Sequence, residues 1–256
     1  MLLQRPSFRR STLFITALVL TFLYFLSRIP RLANSHLYDI SYDSYFERQF
    51  HVYVLTSSCE RFTADAVSQF PMSSLTLVPN APDIPECDAL NITQLPFNNE
   101  GIEDGLSKDF LFRLKYAQVL DACAANSYAK CLILEDDVVY LHTPHRTIEV
   151  LVENTIPLFN DGEIDAFDCS KRGWGLLPSN PTGMGSQCRV FSRFGAPCLS
   201  SCLREEYMME EDGSEMQLDG ALVRCQVKCG LKQKRFLLVV HGGLGSTMER
   251  VEEGEE

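Results

Sequence analysis

The sequence predicts an α/β domain, a mixed sheet flanked by helices, that follows an N-terminal transmembrane helix. A β-branched and aromatic run, Phe50–Leu55, and a mostly apolar run, Ala129–Leu134, predict strands. Before the second run, apolar residues recur at helical spacing from Phe112 to Cys123. Alternating strand and helix signals are typical of α/β folds.

The N-terminal segment 11–29 is mostly apolar and uncharged apart from one arginine, and it predicts an uncleaved transmembrane signal-anchor. Three arginines precede it, and this positive-inside bias places residues 1–10 in the cytosol and the rest of the chain in a lumen. Its short length suits a thin Golgi or ER membrane. The alternative, a cleaved signal peptide, fits less well because the apolar run is long and no small-residue cleavage site follows.

After the anchor, we expect a polar stem over 30–49, a lumenal domain over 50–248 and a disordered acidic tail over 249–256. The formal net charge of the chain is −11, but five of its basic residues precede residue 35, where there is no acid. The remainder has 18 basic and 34 acidic residues, a balance of −16. Nucleic-acid binding needs clustered Lys and Arg, so we exclude nucleic acid as a partner.

The domain is predicted to open with a βαβ unit. A strand at Phe50–Leu55 ends in a polar turn, a helix covers Phe62–Phe70, and a second strand covers Leu75–Val78 before a proline-containing turn. Ser107 is the expected N-cap of the next helix. The strand at Ala129–Leu134 is apolar on both faces, which favours a buried position within a parallel sheet.

The half of the chain after residue 145 is less regular, and its last predicted strand is Phe236–Val240. All ten cysteines follow the apolar segment, and in an oxidising lumen some should pair. Two CxxxC spacings, Cys198/Cys202 and Cys225/Cys229, leave a zinc site as the alternative to disulfides or buried thiols.

The most informative segment is Glu135-Asp136-Asp137, three carboxylates between two apolar runs. Carboxylates crowded at the edge of an apolar sheet repel one another unless a cation compensates them. Oxygen ligands select hard ions such as Mn²⁺ or Mg²⁺, which hold diphosphates. The alternative is an acidic surface turn after a strand.

Together with the anchor and stem, this pattern resembles the GT-A glycosyltransferases of the Golgi, several of which write their metal-binding motif as Glu-Asp-Asp. The resemblance is nearest to the GPI N-acetylgalactosamine transferase family. The segments that carry it are Tyr53–Ser57 with Arg61, Leu132–Val139, Gln217–Asp219, and Val240–Gly243 with Ser246. It implies a GT-A-like, Rossmann-type sheet and transfer of GalNAc or GlcNAc from a UDP-sugar to a glycan or glycolipid, such as a GPI anchor.

The resemblance also implies site residues. Asp137, Glu135 and His241 would hold Mn²⁺ or Mg²⁺, although His241 is equally a hydrogen-bonded histidine at a strand end. Residues expected to contact the nucleotide-sugar donor are Thr56, Ser57, Arg61, Glu135, Asp136 and Gly242.

An inverting transfer needs a general base, and Asp219 is the candidate. Its alternative role is the N-cap of a helix. The acids that could replace it as base are Glu210, Glu211, Asp212 and Glu215. A different alternative for the whole chain is a non-catalytic, membrane-tethered binding or scaffold protein with the same fold.

Overall fold

The computed structural model describes residues 41–57, 59, 61–80, 84–97, 107–160, 164–170, 186–205 and 216–241. Contacts divide the chain into two units, Met1–Ser41 and Tyr42–Glu256. The predicted cytosolic tail, anchor and acidic tail lie outside the described residues. None of the helices described is both long enough and apolar enough to cross a bilayer.

The described part of the second unit is an α/β domain. Its strands are β1 (Phe50–Thr56), β2 (Leu75–Pro79), β3 (Lys130–Glu135), β4 (Val138–Tyr140), β5 (Ala166–Asp168), β6 (Cys188–Ser192), β7 (Gln233–Arg235) and β8 (Val239–His241). Its α-helices are α1 (Tyr42–Gln49), α2 (Arg61–Val67), α3 (Pro85–Asp88), α4 (Lys108–Ala125), α5 (Pro144–Asn160), α6 (Ala196–Leu203) and α7 (Leu218–Lys228).

The main sheet is mixed, as predicted. Its strand order is β2-β1-β3-β6-β5-β7, and β4 pairs with β8 in a separate two-stranded sheet. Strand β1 runs parallel to β2 and β3, whereas β6 is antiparallel to both β3 and β5. The buried strand β3 is therefore flanked by one parallel and one antiparallel neighbour, and the expectation of a purely parallel environment for it was wrong.

The predicted βαβ unit and the helix that follows are confirmed. Helix α2 links the parallel strands β1 and β2, although it ends at Val67, three residues before the predicted end. The hydroxyl oxygen of Ser107 accepts a hydrogen bond from the backbone N–H of Phe110, which is the predicted N-cap of α4. Local patterning alone thus determines these elements.

Helices cover both faces of the sheet. One face packs against α1, α2 and α5 and the other against α4, α6 and α7, because alternate strand side chains point to opposite sides. Val52, Val54 and Leu132 belong to the first core, whereas Tyr53 and Ile133 belong to the second. The result is a three-layer domain, with the sheet between two layers of helices.

Helix α1 lies within the segment that the sequence analysis assigned to the stem. Phe46 is fully buried, and its ring stacks on Phe50 and Phe70 at centroid distances of 5.1 and 5.5 Å. The aromatic contacts come from β1 and from the turn after α2, so tertiary packing stabilises a helix that has weak periodicity of its own. The packed part of the domain therefore starts at Tyr42, before the predicted boundary at residue 50.

The prediction of one continuous strand over Phe236–Val240 was wrong, because this part of the chain passes from one sheet to the other. Strand β7 ends at Arg235, and β8 begins at Val239. Between them, the backbone N–H groups of Phe236 and Leu238 donate to the carbonyls of Asp168 and Cys169. The chain leaves the edge of the main sheet there and crosses to pair with β4.

All ten cysteines form disulfides, which confirms the predicted pairing. The bridges are Cys59–Cys87, Cys123–Cys131, Cys169–Cys188, Cys198–Cys229 and Cys202–Cys225. The zinc alternative is wrong, because the four cysteines of the two CxxxC spacings instead join α6 to α7 through two bridges. These two bridges span 31 and 23 residues of sequence, and they hold α7 against α6.

Candidate active site

The chain reverses its direction across the sheet at β1. It moves outward from β1 to β2 through α2, and then returns past β1 to β3 through α4. The two connecting helices lie on opposite faces, since Ala66 of α2 belongs to one core and Tyr116 of α4 to the other. In open α/β sheets such a reversal creates a crevice at the carboxyl ends of the strands, where ligands bind.

The acidic triplet lies at this edge. Glu135 is the last residue of β3 and pairs in register with Leu55 of β1, while Asp136 and Asp137 form the turn into β4. The three residues are only 6%, 2% and 2% exposed. The alternative of a solvated surface turn is therefore wrong.

Asp136 is held from within the domain. Its Oδ2 accepts hydrogen bonds from the hydroxyls of Thr56, at 2.6 Å, and Thr63, at 3.1 Å. Its backbone N–H donates to the Leu55 carbonyl at 3.0 Å. Thr56 Oγ1 also accepts from the backbone N–H of Cys59 at 2.9 Å. Asp136 thus fixes the turn to the end of β1 and orients the carboxylates on either side of it.

Glu135 occupies an electrostatically unfavourable position for an anion. The pKa of its carboxyl is raised to about 7, mainly by burial and also by the charges of Asp137, Asp219 and Asp136. Its Oε1 accepts a hydrogen bond from the Ser186 hydroxyl, which lowers the pKa in part. Four carboxylates from β3, the following turn and α7 therefore act on one another at this edge.

This raised pKa predicts a pH dependence of stability. The pKa of a solvated glutamate carboxyl is 4.5, whereas that of Glu135 in the folded protein is about 7. Between these values the folded state retains a proton that the unfolded state releases, so the free energy of unfolding falls as the pH rises, by about 3 kcal/mol in total. Glu135→Gln should remove this decrease, as measured by urea unfolding at pH 5 and pH 7 with EDTA present.

The matched control is Glu153→Gln on the exposed surface of α5, which should keep the wild-type decrease. The pKa of Lys115 is lowered to about 7, so this residue makes the free energy of unfolding rise with pH. That rise comes only above pH 7, outside the range from pH 5 to pH 7 in which the measurement is made. An unchanged decrease in Glu135→Gln would show that this carboxyl is ionised in the folded protein below pH 7.

Lys115 of α4 lies at the same sheet edge as the acidic triplet. It comes from the face of the sheet opposite to α2. Its Nζ donates to the Thr56 carbonyl at 3.2 Å and to Oδ1 of Asn80 at 2.5 Å, and the side chain is 3% exposed. Burial lowers its pKa to about 7, while the charges of Asp136 and Glu135 favour the ammonium form. Lys115 therefore joins the ends of β1 and β2 close to the acidic turn.

Asp219 lies in the first turn of α7, close enough to Glu135 for its charge to raise the pKa of that residue. Gln217 is the N-cap of this helix, so the alternative role of Asp219 as the cap was wrong. Within the described residues, Oδ1 of Asp219 is buried and has no hydrogen-bond partner.

His241 ends β8, and its backbone is in register with Val138, the residue after Asp137. The antiparallel pair β4–β8 thus places the backbone of His241 beside the acidic turn, although the two segments are about a hundred residues apart in sequence. The side chain of His241 lies outside the described part of the molecule.

The other predicted donor contacts are only partly described. Ser57 follows β1 and is half-buried, and the backbone of Arg61 opens α2. The predicted residues outside the description are the side chain of Arg61, all of Gly242, and the alternative bases Glu210, Glu211, Asp212 and Glu215.

A buried row of charges next to the triplet was not predicted. Arg189 of β6 and Asp168 of β5 are fully buried and in register, and Arg235 of β7 lies opposite Asp168 on the other side. Arg189 Nη1 also donates to Oε1 of Gln233 at 3.1 Å. The same cluster includes the Tyr116 ring, whose pKa is raised by burial, with further contributions from nearby carboxylates. A charged residue inside the apolar β6 was the one signal for this row.

The carboxylates fit a divalent cation that a ligand helps to hold. No group of three or more His, Cys, Asp or Glu side chains in the described residues is arranged to hold a metal ion. Magnesium, however, is usually bound through one or two carboxylates together with substrate phosphates. Glu135 and Asp137 repel each other across a buried edge, and a hard cation between them would relieve that repulsion.

No protein-family model matches this sequence, and no curated protein matches it significantly. Solved structures with some likeness include a CMP:2-keto-3-deoxy-manno-octonic acid synthetase complexed with CTP, at TM-score 0.46 and 7% identity over 80% of this chain and 95% of that one. A glycosyltransferase involved in glycosylation of the major capsid of PBCV-1 has TM-score 0.45 and 12% identity, over 80% of this chain and 99% of that one. The inositol-1-phosphate CTP transferase from T. maritima has TM-score 0.43 and 13% identity, over 81% of this chain and 98% of that one. At these scores, the similarities assign neither a family nor an activity to the chain.

Proposed function

We propose that the chain is a metal-dependent, GT-A-like glycosyltransferase that moves GalNAc or GlcNAc from a UDP-sugar to a glycan or glycolipid acceptor. The observation that carries this proposal is the buried cluster of carboxylates at the strand-order reversal. Glu135 and Asp137 lie at the edge where α/β sheets bind ligands, and their mutual repulsion calls for a cation. A cation held with a diphosphate satisfies both requirements.

The donor would lie along this edge with its diphosphate at the acidic turn. Asp137 and Glu135 would hold Mn²⁺ or Mg²⁺, with His241 as the proposed third protein ligand. When bound, the cation neutralises the charge that develops on the departing UDP. Asp136 supports the site from behind, because Thr56 and Thr63 fix its carboxylate to β1 and α2. Ser57, Arg61 and Gly242 remain proposed contacts to the nucleotide-sugar donor.

Asp219 is the proposed general base for an inverting transfer. It approaches the site from α7, on the opposite side of the edge from the β1–α2 turn. Its buried Oδ1, without a partner in the described part of the chain, is able to accept the proton of an acceptor hydroxyl. The two disulfides between α6 and α7 would keep that carboxylate in place.

The compartment and acceptor belong to the same proposal. We place the chain in the Golgi or ER membrane as a single-pass type II protein, with a GPI anchor as one acceptor. Five disulfides support this placement, because disulfides persist in oxidising compartments and are rare in the cytosol.

The test is UDP release by the purified chain. We expect Mn²⁺-dependent release from UDP-GalNAc or UDP-GlcNAc when glycan or glycolipid acceptors are present, and none in EDTA. Binding of UDP without turnover of either donor would favour the non-catalytic alternative. No binding and no release would contradict the proposed function.

A further inference from the structure

One sequence motif has no part in the proposed chemistry. Asn91-Ile92-Thr93 has the form Asn-x-Ser/Thr, in which the asparagine amide accepts an N-linked glycan. The sequence contains one other triplet of this form, Asn180-Pro181-Thr182, and its central proline excludes it as an acceptor. Asn91 is therefore the one acceptor asparagine that the full sequence offers.

The structure places both reactive side chains of this triplet at the surface. Asn91 and Thr93 are exposed, whereas Ile92 between them is 8% exposed and packs in the core beside α2 and α5. The buried isoleucine fixes the triplet to the domain, while the residues on either side of it face solvent. The amide and the hydroxyl that define the motif are thus accessible together.

The triplet begins at a tight turn. Asn91 has a φ of 51°, in the left-handed region, which asparagine adopts more readily than most residues. Its backbone N–H donates to the Asp88 carbonyl at 3.1 Å, so the turn directly follows α3. Asn91 lies outside every helix and strand of the described chain. A bulky substituent on this turn would therefore displace no regular element.

After the turn, the chain runs along the outer edge of the main sheet. The backbone N–H of Leu77 in β2 donates to the Thr93 carbonyl at 2.8 Å, and the N–H of Leu95 donates to the Leu77 carbonyl at 2.7 Å. Gln94 thus forms a parallel bridge to Leu77 on the free side of β2. Three strand spacings, about 14 Å, separate this segment from β3, which carries Glu135. The acceptor triplet is therefore separate from the acidic edge.

The disulfides indicate a compartment in which this asparagine could be modified. Acceptor triplets of this form are used on surface loops of secreted proteins, and disulfides form in the same oxidising lumen. Cys87, four residues before Asn91, is bridged to Cys59. The segment that presents the acceptor thus also requires oxidising conditions for its own cross-link.

We propose that Asn91 carries an N-linked glycan. In the transfer, the Asn91 amide nitrogen bonds to the anomeric carbon of a lipid-linked oligosaccharide diphosphate. The bond from that carbon to the diphosphate oxygen breaks, the lipid diphosphate leaves with the electron pair, and the amide nitrogen loses one proton. This inference goes beyond the proposed activity and rests only on its lumenal placement of the domain.

The test uses the full chain expressed in eukaryotic cells. Digestion with peptide N-glycosidase F should lower the mass of the wild-type chain in a single step, and tandem mass spectrometry should place the resulting aspartate at position 91. Asn91→Gln and Thr93→Ala should abolish the decrease, whereas Thr93→Ser should keep it because serine retains the hydroxyl. The matched control is Asn154→Gln, which should also keep it, since Asn154 is exposed but is followed by threonine one residue later instead of two.

Alkylation of free thiols before lysis tests the compartment in the same sample. A wild-type chain whose cysteines are all protected and whose mass does not decrease would overturn the inference and leave the lumenal placement intact. Free thiols together with an unchanged mass would overturn both. A decrease that persists in Asn91→Gln would also overturn the inference, because the glycan would then be attached elsewhere.

Discussion

Arg189→Met is expected to lower the free energy of unfolding by about 3–5 kcal/mol, the largest stability effect that we predict for a single side chain. Arg189 is fully buried and faces Asp168 across the β5–β6 pair. Its charge also acts on Tyr116, as do the charges of Glu135, Asp219 and Asp168. Removing the guanidinium takes a buried positive charge away from beside Asp168 and breaks the hydrogen bond to Oε1 of Gln233, and methionine of similar length replaces neither.

Urea unfolding measures this effect as a shift of the midpoint. Arg204→Met is the matched control, because Arg204 is exposed and pairs with Asp121 on the surface, where such pairs contribute about 0–1 kcal/mol. A loss below about 1 kcal/mol in Arg189→Met would contradict the account, since it would mean that the carboxylates beside Arg189 are neutral in the folded protein.

Asp137→Ala is expected to reduce Mn²⁺-dependent UDP release at least about 100-fold. Asp137 is 2% exposed in the turn that Asp136 fixes to β1, so its carboxylate has a defined position beside Glu135. Its loss should remove a cation ligand and at the same time lower the pKa of Glu135, because one neighbouring negative charge is gone.

Asp137→Asn removes the charge but keeps the size of the side chain. It therefore distinguishes the loss of the carboxylate from the effect of the cavity that alanine would leave. It should lose nearly as much activity as Asp137→Ala. The control is Asp65→Ala on the exposed surface of α2, which should leave UDP release unchanged. Wild-type release by Asp137→Asn would exclude this carboxylate from the metal site.

Local signals predicted much of the fold. The β-branched and aromatic run of β1, the apolar run of β3, the apolar stripe of α4 and its Ser107 cap depend on residues close together in sequence. The structure has each of them. The end of β3 was recognised from composition alone, because three acids interrupt an apolar run.

The remaining features depend on contacts between distant segments. Thr63 contacts Asp136, and Lys115 contacts the end of β1, only because α2 and α4 pack on opposite faces of the sheet. The Arg189–Asp168 pair requires the register of β5 on β6. Helix α1 forms because Phe46 finds two aromatic rings from other elements. A single sequence does not specify such pairings; the charged Arg189 inside the apolar β6 was the one local signal among these residues.

The central claim is that the edge formed by Glu135 and Asp137 binds a nucleotide through a divalent cation. The most direct measurement is calorimetric titration of the wild-type chain with UDP, once with Mn²⁺ and once with EDTA. We predict that affinity is at least about tenfold higher with Mn²⁺. Equal affinity under the two conditions would contradict the claim.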